Sequence, residues 1–228
     1  MNKVLVIAAH PDDEVLGCGA TIAKHVAAGD QVHVVILAEG VTSRMLRWNR
    51  RNFRSELSEL KAAAKLASKI LGVTSVRLNG FPDNRMDGFP LIEVVKIIEE
   101  DIARIKPSII YSHHAGDVNQ DHETVHKAVV VACRSLPESS IKALLFFEIP
   151  SSTEWQVVEG KTFSPNWYND VSTFMGLKLE ALKAYQSEMR KWPHPRSLAA
   201  IEHLARWRGA TVGVEAAEAF KLGRLLIS

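Results

Sequence analysis

The first 150 residues alternate between short apolar runs and longer segments in which apolar residues recur every three or four positions. The apolar runs are rich in Val, Ile and Leu and are bounded by polar turns, which is typical of strands buried on both faces of a parallel sheet. The longer segments have the spacing of amphipathic helices. Predicted strands cover residues 3–9, 31–37, 75–78, 108–112 and 141–147. Predicted helices cover residues 15–28, part of 51–71, 91–105 and about 121–134.

Strands that alternate with helices indicate right-handed crossover units, which build an open, mostly parallel sheet with helices on both faces. We therefore predict a three-layer, Rossmann-like α/β fold. After Pro150 the alternation weakens into a polar, Trp-containing stretch, which is followed by predicted helices near 175–190 and 197–208. We predict one domain over residues 1–228, with an α/β core over 1–150 and a C-terminal capping segment over 151–228.

Composition and charge narrow the class of protein. The formal net charge of +2 is too small to argue for a nucleic-acid partner. The apolar runs fall well short of the roughly 20 residues that a membrane span needs. The first residues lack the long apolar region of a signal peptide, so we predict a cytoplasmic location and no membrane span. Cys18 and Cys133 are too few for a disulfide framework, and we interpret both as small buried hydrophobes.

Chemically reactive side chains follow the first and fourth predicted strands. In a doubly wound sheet these two strands usually lie side by side, and ligands bind outside their carboxyl ends. The first strand is followed by His-Pro-Asp-Asp-Glu at residues 10–14, and the fourth by His-His-Ala-Gly-Asp at residues 113–117. Asp121 and His122 come next. The sequence therefore predicts that imidazoles and carboxylates converge at one crevice.

A dinucleotide site is disfavoured at this crevice. Such a site needs glycines directly after the first strand, where backbone amides approach a pyrophosphate. Gly17 and Gly19 lie too far into the predicted helix, and the carboxylates of residues 12–14 would repel phosphate.

A divalent cation suits the same residues. A neutral imidazole and a carboxylate three positions apart, as in His10 and Asp13, can bind one metal ion. His122, across the crevice, is the best-placed third ligand and would leave the fourth position open. Zinc is the natural candidate for nitrogen and oxygen ligands, and it lowers the pKa of bound water to around 7. Asp12 could then act as the general base and return the proton to a leaving amine.

The alternative for residues 12–14 is a purely structural role at a helix N-terminus, where acidic side chains stabilise the helix.

Residues 9–14, Ala-His-Pro-Asp-Asp-Glu, with Gly-Cys-Gly-Ala at 17–20, resemble the signature of the PIG-L or LmbE-like de-N-acetylases. Asp121 and His122 resemble the second motif of that family. The resemblance implies a zinc-dependent hydrolase that removes an N-acetyl group from an amino sugar or its conjugate, of the N-acetylglucosamine type. It also implies that His10, Asp13 and His122 are the metal ligands and that Asp12 is the general base.

One position departs from that family. The second motif is often His-Pro-Asp-His, whereas this chain has Asn119 at its first position. The group that stabilises the oxyanion or protonates the leaving amine is therefore open, with Asn119, His113 and His114 as candidates. We expect Asp121 to orient a ligand histidine from behind.

Two other functions are consistent with parts of the sequence. Residues 122–126 match HExxH, in which two histidines bind zinc and a glutamate activates water. A metalloprotease of that kind would need His126 and would leave residues 10–14 unexplained. A non-catalytic metal- or carbohydrate-binding module is the second alternative. Such a module would have no use for a base at Asp12.

Five arginines recur at helical spacing soon after Glu39 and Gly40, which places several guanidinium groups near the predicted crevice. They are Arg44, Arg47, Arg50, Arg51 and Arg54. We predict that they bind a phosphate or nucleotide diphosphate on the substrate, with Arg44 nearest the site. The alternative is a solvated basic face.

Four residues in polar loops are further candidates for contacts with substrate hydroxyls: Asn84, Arg85, His194 and Arg196. Ordinary loop hydrogen bonding is the alternative for each of them. The predicted partner is a small amino-sugar substrate, anionic if the arginines bind it, and not a nucleic acid. Similar proteins include homo-oligomers, although no interface signal is readable in this sequence.

Overall fold

The computed structural model describes residues 1–44 and 54–227, and residues 45–53 and 228 lie outside that description. Within the described residues, seven strands form one sheet. They are β1 (Lys3–Ala8), β2 (Gln31–Ala38), β3 (Ser75–Phe81), β4 (Ile109–His113), β5 (Ala143–Phe147), β6 (Trp167–Asp170) and β7 (Ala217–Leu225). The α-helices there are α1 (Asp13–Ala27), α2 (Arg54–Leu71), α3 (Leu91–Ile105), α4 (Gln120–Ala132), α5 (Met175–Ala184) and α6 (Leu198–Ala210).

The strand order is β3-β2-β1-β4-β5-β7-β6, and the first five strands in that order are parallel. Strand β7 runs antiparallel to both β5 and β6. The winding reverses between β1 and β4, which pair directly, with Val4 opposite Ile109. This arrangement confirms the predicted open, mostly parallel α/β sheet and its crevice between the first and fourth strands.

The two faces of the sheet carry separate hydrophobic cores, as strand alternation requires. In β1, Val4, Val6 and Ala8 pack on the side of α1, α2, α5 and α6. Leu5 and Ile7 face the opposite way and pack with α3 and α4. Because both faces are covered by helices, the central strands are mainly apolar, and the predicted strands lie close to the observed ones.

The structure contains two strands, β6 and β7, that the apolar pattern did not predict. Strand β6 has four residues, and β7 carries Glu218, Lys221, Gly223 and Arg224 in place of a Val/Ile run. Strand β7 pairs with β5, and β6 pairs with β7, and these tertiary contacts outweigh weak local propensity. The segment after residue 150 therefore extends the sheet as well as covering it.

Helix α1 is interrupted at Cys18, whose backbone angles are φ −150° and ψ 26°. The break leaves backbone groups without their usual partners. Lys178 Nζ donates to the Leu16 carbonyl at 2.8 Å, and Glu218 accepts from the Ala20 and Thr21 amides at 3.1 and 2.6 Å. The buried ion pair between Lys178 and Glu218, 2.6 Å long, thus completes the hydrogen bonding of α1 from the C-terminal segment.

No helix within residues 1–44 and 54–227 is both long enough and apolar enough to cross a membrane.

Candidate metal centre and active site

Three predicted ligands meet at the carboxyl ends of β1 and β4. His10 follows β1, Asp13 opens α1, and His122 lies in the first turn of α4. His10 Nδ1 lies 3.3 Å from both Asp13 Oδ2 and His122 Nε2, and His122 Nε2 lies 3.2 Å from Asp13 Oδ2. His10 is 8% exposed and the other two are fully buried. Two nitrogens and one oxygen therefore form a nearly equilateral triangle of donor atoms.

The triangle fits a small divalent cation. Ligands held tetrahedrally around zinc at about 2.0–2.1 Å lie about 3.3 Å from one another, close to the observed spacing. The second oxygen of Asp13, Oδ1, is buried and has no hydrogen-bond partner. A buried carboxylate oxygen without a partner is costly unless positive charge compensates it. These residues can hold a metal ion.

Carboxylates behind the histidines fix their ring orientations. His122 Nδ1 lies 3.1 Å from Asp117 Oδ2, and Asp117 also accepts hydrogen bonds from the hydroxyls of Ser152 and Thr153. Although burial lowers it, Asp13 and Asp117 together raise the pKa of His122 to about 9. The surroundings therefore favour positive charge beside Asp13. A proton or a metal ion can supply that charge.

His10 is oriented in the same way by two carboxylates. Its Nε2 lies 3.0 Å from Asp121 Oδ2 and 3.1 Å from Asp83 Oδ1. Asp121 is itself fixed by backbone amides, from Asn84 at 2.7 Å and Met86 at 2.9 Å. The sequence predicts that Asp121 orients a ligand histidine, and the structure places Asp121 beside His10.

His10, Asp83 and Asp121 also form a second group of donor atoms close enough to hold a cation. The two groups share His10, through Nδ1 in one and Nε2 in the other. A neutral imidazole that offers Nδ1 to a metal carries its proton on Nε2. Asp83 and Asp121 are then acceptors for that proton, which accounts for their positions.

Asp12 is not part of the triangle and lines a pocket together with His10. Its backbone has a φ of 112°, in the left-handed region, and its Oδ2 accepts from Arg196 Nη1 at 2.8 Å. Burial raises the pKa of Asp12 to about 7; Arg196 and His10 oppose this shift, whereas Asp13 and Glu188 add to it. The neighbouring carboxylates therefore have different environments, because Asp12 lines the pocket and Asp13 belongs to the triangle.

The pocket beside Asp12 has a volume of ≈ 140 Å³ and polar walls. Asn119 lines it and also caps α4, since its side-chain oxygen accepts from the Asp121 and His122 amides at 2.9 and 3.3 Å. Its amide nitrogen is the donor that remains for a ligand. The lining residues are His10, Pro11, Asp12, Gly40, Ser43, Asp83, Asn84, Asn119, Glu188 and Arg196.

The other acid or oxyanion candidates do not line this pocket. His113 is fully buried, accepts from the Ala9 amide at 2.8 Å and stacks on His122 with ring centroids 4.1 Å apart. His114 points elsewhere, with Nε2 3.0 Å from the Lys161 carbonyl. Of the three candidates, the structure places only Asn119 at the pocket.

The structure places the predicted substrate-binding residues in different surroundings. Arg196 lies in the pocket wall, whereas His194 accepts the Arg196 amide at 3.0 Å and shapes the loop. Arg85 is exposed beside Asn84 and is not part of the pocket lining. The side chain of Arg44, and all of Arg47, Arg50 and Arg51, lie outside the described residues.

The HExxH pattern does not form a metal site. His126 Nδ1 lies 2.9 Å from the His113 carbonyl and its ring packs on Phe146, while Glu123 pairs with Lys127 on the helix surface. Neither residue belongs to a metal-capable group among the described residues. This placement removes the basis for a metalloprotease.

Three residues of the site had no role in the sequence analysis: Asp83, Glu188 and Tyr185. The carboxylate of Asp83 follows β3, so the rule that ligands bind outside the carboxyl ends of the strands, which located His10 and residues 113–117, could have found it. Glu188 and Tyr185 reach the site from the C-terminal segment, and no local pattern marks them.

A sequence model of the PIG-L family, described as GlcNAc-PI de-N-acetylase, matches residues 5–133, more than half of the chain. The uncharacterized deacetylase YaiS of Escherichia coli K12 is 30% identical over 81% of this chain and 90% of its own length. The chain belongs to the PIG-L family.

A probable N-acetyl-alpha-D-glucosaminyl L-malate deacetylase 2 of Bacillus anthracis is 27% identical over 82% of this chain and 81% of its own length. These relatives are named deacetylases, and this PIG-L protein is an enzyme of that type.

Solved structures share the PIG-L fold of this chain. An N,N'-diacetylchitobiose deacetylase from Pyrococcus horikoshii has a TM-score of 0.77 at 20% identity, covering 98% of this chain and 84% of that one. A 4-carboxy-2-hydroxymuconate hydratase from Pseudomonas putida KT2440 has a TM-score of 0.76 at 21% identity, and the match covers 100% of this chain and 98% of that one. Because the fold occurs with both chemistries, the fold alone does not determine the reaction.

Proposed function

We propose that this protein is a zinc-dependent N-deacetylase acting on an amino sugar or its conjugate, of the N-acetylglucosamine type. The observation that carries the proposal is the triangle of His10, Asp13 and His122 beside a separate carboxylate, Asp12, in a pocket. The relative from Bacillus anthracis, whose name gives an N-acetylglucosaminyl substrate, supports the sugar class.

His10, Asp13 and His122 would hold the metal ion. When bound, zinc supplies Lewis acidity and lowers the pKa of water to around 7. The mixed nitrogen and oxygen donors of this site are those that catalytic zinc sites use. Asp117 and Asp121 keep the two imidazoles in the orientation that binding requires.

Asp12 is the proposed general base. Its Oδ2 is occupied by Arg196, so Oδ1 would take the proton of the attacking water and pass it to the leaving amine. The ion pair with Arg196 fixes the carboxylate at the pocket wall. The same guanidinium is close enough to the pocket to bind a polar group of the substrate.

Asn119 is the proposed donor to the acyl oxygen. Its side-chain oxygen is committed to the α4 amides, which leaves only N–H groups for the pocket. An amide cannot protonate a leaving amine, so Asp12 would have to both accept and return the proton.

The assay for this proposal follows acetate release by the zinc-loaded protein from free, nucleotide-linked and glycosidic N-acetylglucosamine compounds. We expect release from at least one class, and loss of release with retained zinc binding in Asp12→Asn. No release from any compound would contradict the proposal. Acetate release that Asp12→Asn leaves unchanged would contradict the role of Asp12 as the base.

The same panel tests whether the substrate is anionic. If the arginines after Gly40 bind a phosphate, Arg44→Ala and Arg47→Ala should weaken activity on nucleotide-linked compounds and leave activity on free sugars unchanged. Equal activity of the variants and the wild type on both substrates would instead indicate a solvated basic face.

A further inference from the structure

Asp12 has a strained backbone at the point where its side chain enters the pocket. A φ of 112° with ψ −29° is unfavourable for any residue with a Cβ atom. Such strain persists only where surrounding contacts hold it, and it clusters at functional sites. This turn separates two adjacent carboxylates. Asp12 lines the pocket, and Asp13 belongs to the metal triangle of His10, Asp13 and His122.

Glu14 holds this turn from inside the protein. Its Oε2 accepts the Asp12 backbone N–H at 3.1 Å, and its side chain is almost completely buried. Its other oxygen, Oε1, accepts the hydroxyl of Tyr185 at 2.5 Å. Both carboxyl oxygens of Glu14 are therefore used, one by the strained backbone and one by Tyr185.

Tyr185 comes from a distant part of the chain. It follows α5 in the C-terminal segment, is fully buried in the core, and is not among the residues that line the pocket. It cannot contact a ligand there. Its hydroxyl is connected to the backbone of Asp12 through Glu14, whereas its carbonyl accepts the backbone amide of Glu188 in the pocket wall at 2.8 Å, a bond that does not involve the hydroxyl.

We propose that Tyr185, acting through Glu14, is a positioning residue that keeps the Asp12 carboxylate directed at the reacting groups. This inference rests on the proposed function of Asp12 as the base. Without the hydroxyl, Glu14 can turn away from the Asp12 amide, and the backbone can relax towards negative φ and move the carboxylate.

The test compares Tyr185→Phe with Tyr168→Phe. The first variant removes only the hydroxyl and keeps the ring in the core. The control removes a hydroxyl that bonds the Pro165 carbonyl at 3.4 Å, away from the pocket. Because misplacing a catalytic group by about 1 Å costs on the order of 100-fold, we expect kcat of Tyr185→Phe to fall about 10- to 100-fold. The KM and the zinc affinity should stay within about twofold, and the control should match the wild type.

A kcat within about twofold of the wild type in Tyr185→Phe would overturn the inference. A fall in zinc affinity that parallels kcat would also overturn it, since the defect would then lie in the metal triangle. If Tyr185→Phe does not fold, Glu14→Met replaces it, because methionine has no oxygen to accept the Asp12 amide, and it should also lower kcat at unchanged KM.

Crystal structures of the wild type and Tyr185→Phe provide a readout that needs no activity. We expect the positive φ of Asp12 to be present in the wild type and lost in the variant, and its retention in the variant would contradict the inference. If the wild type releases no acetate while the variant still loses this φ, the proposed function fails and the positioning role stands.

Discussion

Each histidine of the metal triangle uses its two ring nitrogens for two different tasks. One nitrogen faces Asp13 and the other faces a carboxylate, Asp121 for His10 and Asp117 for His122. A carboxylate that accepts a hydrogen bond from a ligand histidine fixes the tautomer of that histidine and increases the basicity of the nitrogen that binds the metal. The strength of metal binding should therefore depend on residues that never touch the ion.

Asp117→Asn should weaken zinc binding by about 10- to 100-fold, because the amide keeps the size of Asp117 and removes its charge. Titration against a chromogenic chelator measures this affinity. Asp170→Asn is the control, since Asp170 is exposed on β6 and its carboxylate bonds Ser172. An Asp117→Asn protein with wild-type affinity would show that Asp117 supports only the loop around Ser152 and Thr153.

Two substitutions at Asn119 separate its capping role from its role as a donor. Serine is a good N-cap but lacks the amide, so Asn119→Ser should keep the thermal stability and lose on the order of 100-fold in kcat. Asn119→Ala should lose the same activity and, in addition, about 1 kcal/mol of stability through the lost cap. Thermal unfolding and acetate release measure the two effects. Full activity in Asn119→Ser would exclude the donor role.

The residues of the site that could be predicted from sequence are those that follow a strand in a recognisable local pattern. The spacing of His10 and Asp13 on one turn, and the position of His122 after the fourth strand, are sufficient to place these three residues at one crevice. Tyr185 and Glu188 could not be found in this way, because their contacts join segments about 170 positions apart, as in the Tyr185–Glu14 bond. Local spacing contains no information on such pairs.

At the scale of elements, the broken helix α1 depends on the C-terminal segment. Gly17 lies at the break, where an added Cβ would meet the Phe147 ring at 2.5 Å, so the close approach of α1 to β5 requires glycine. The apolar spacing predicts one uninterrupted helix here, because it continues through Cys18. The break depends on Lys178 and Glu218, which satisfy its free backbone groups and lie far away in the sequence.

Lys178→Met should destabilise the protein by about 3–5 kcal/mol, because it leaves the Glu218 carboxylate buried without a partner. It also removes the donor to the Leu16 carbonyl. Lys183→Met, on the same helix, is the control, since its pair with Glu180 is exposed and should contribute about 0–1 kcal/mol. Urea unfolding measures both variants. Equal losses would show that the buried pair does not support α1.

At the scale of the whole molecule, the parallel sheet and the C-terminal segment form one structural unit. The family match ends at residue 133, yet Tyr185, Glu188 and Arg196 reach the site from beyond it. Strand β7 pairs along the whole of β5, and Phe220 packs against Tyr111 of β4 with ring centroids 5.0 Å apart. The single domain over 1–228 stays a prediction, and among the described residues the shared strands and the shared core are the contacts that it requires.

A fragment of residues 1–150 should not fold on its own, because removing β7 exposes the β5 edge and removing Lys178 and Glu218 leaves α1 unsupported. We expect a poorly dispersed amide NMR spectrum and no cooperative urea transition. Adding a peptide of residues 151–228 should restore both, because the missing strand and ion-pair partners return together. A fragment that unfolds cooperatively by itself would show instead that the core is autonomous and that the C-terminal segment only covers it.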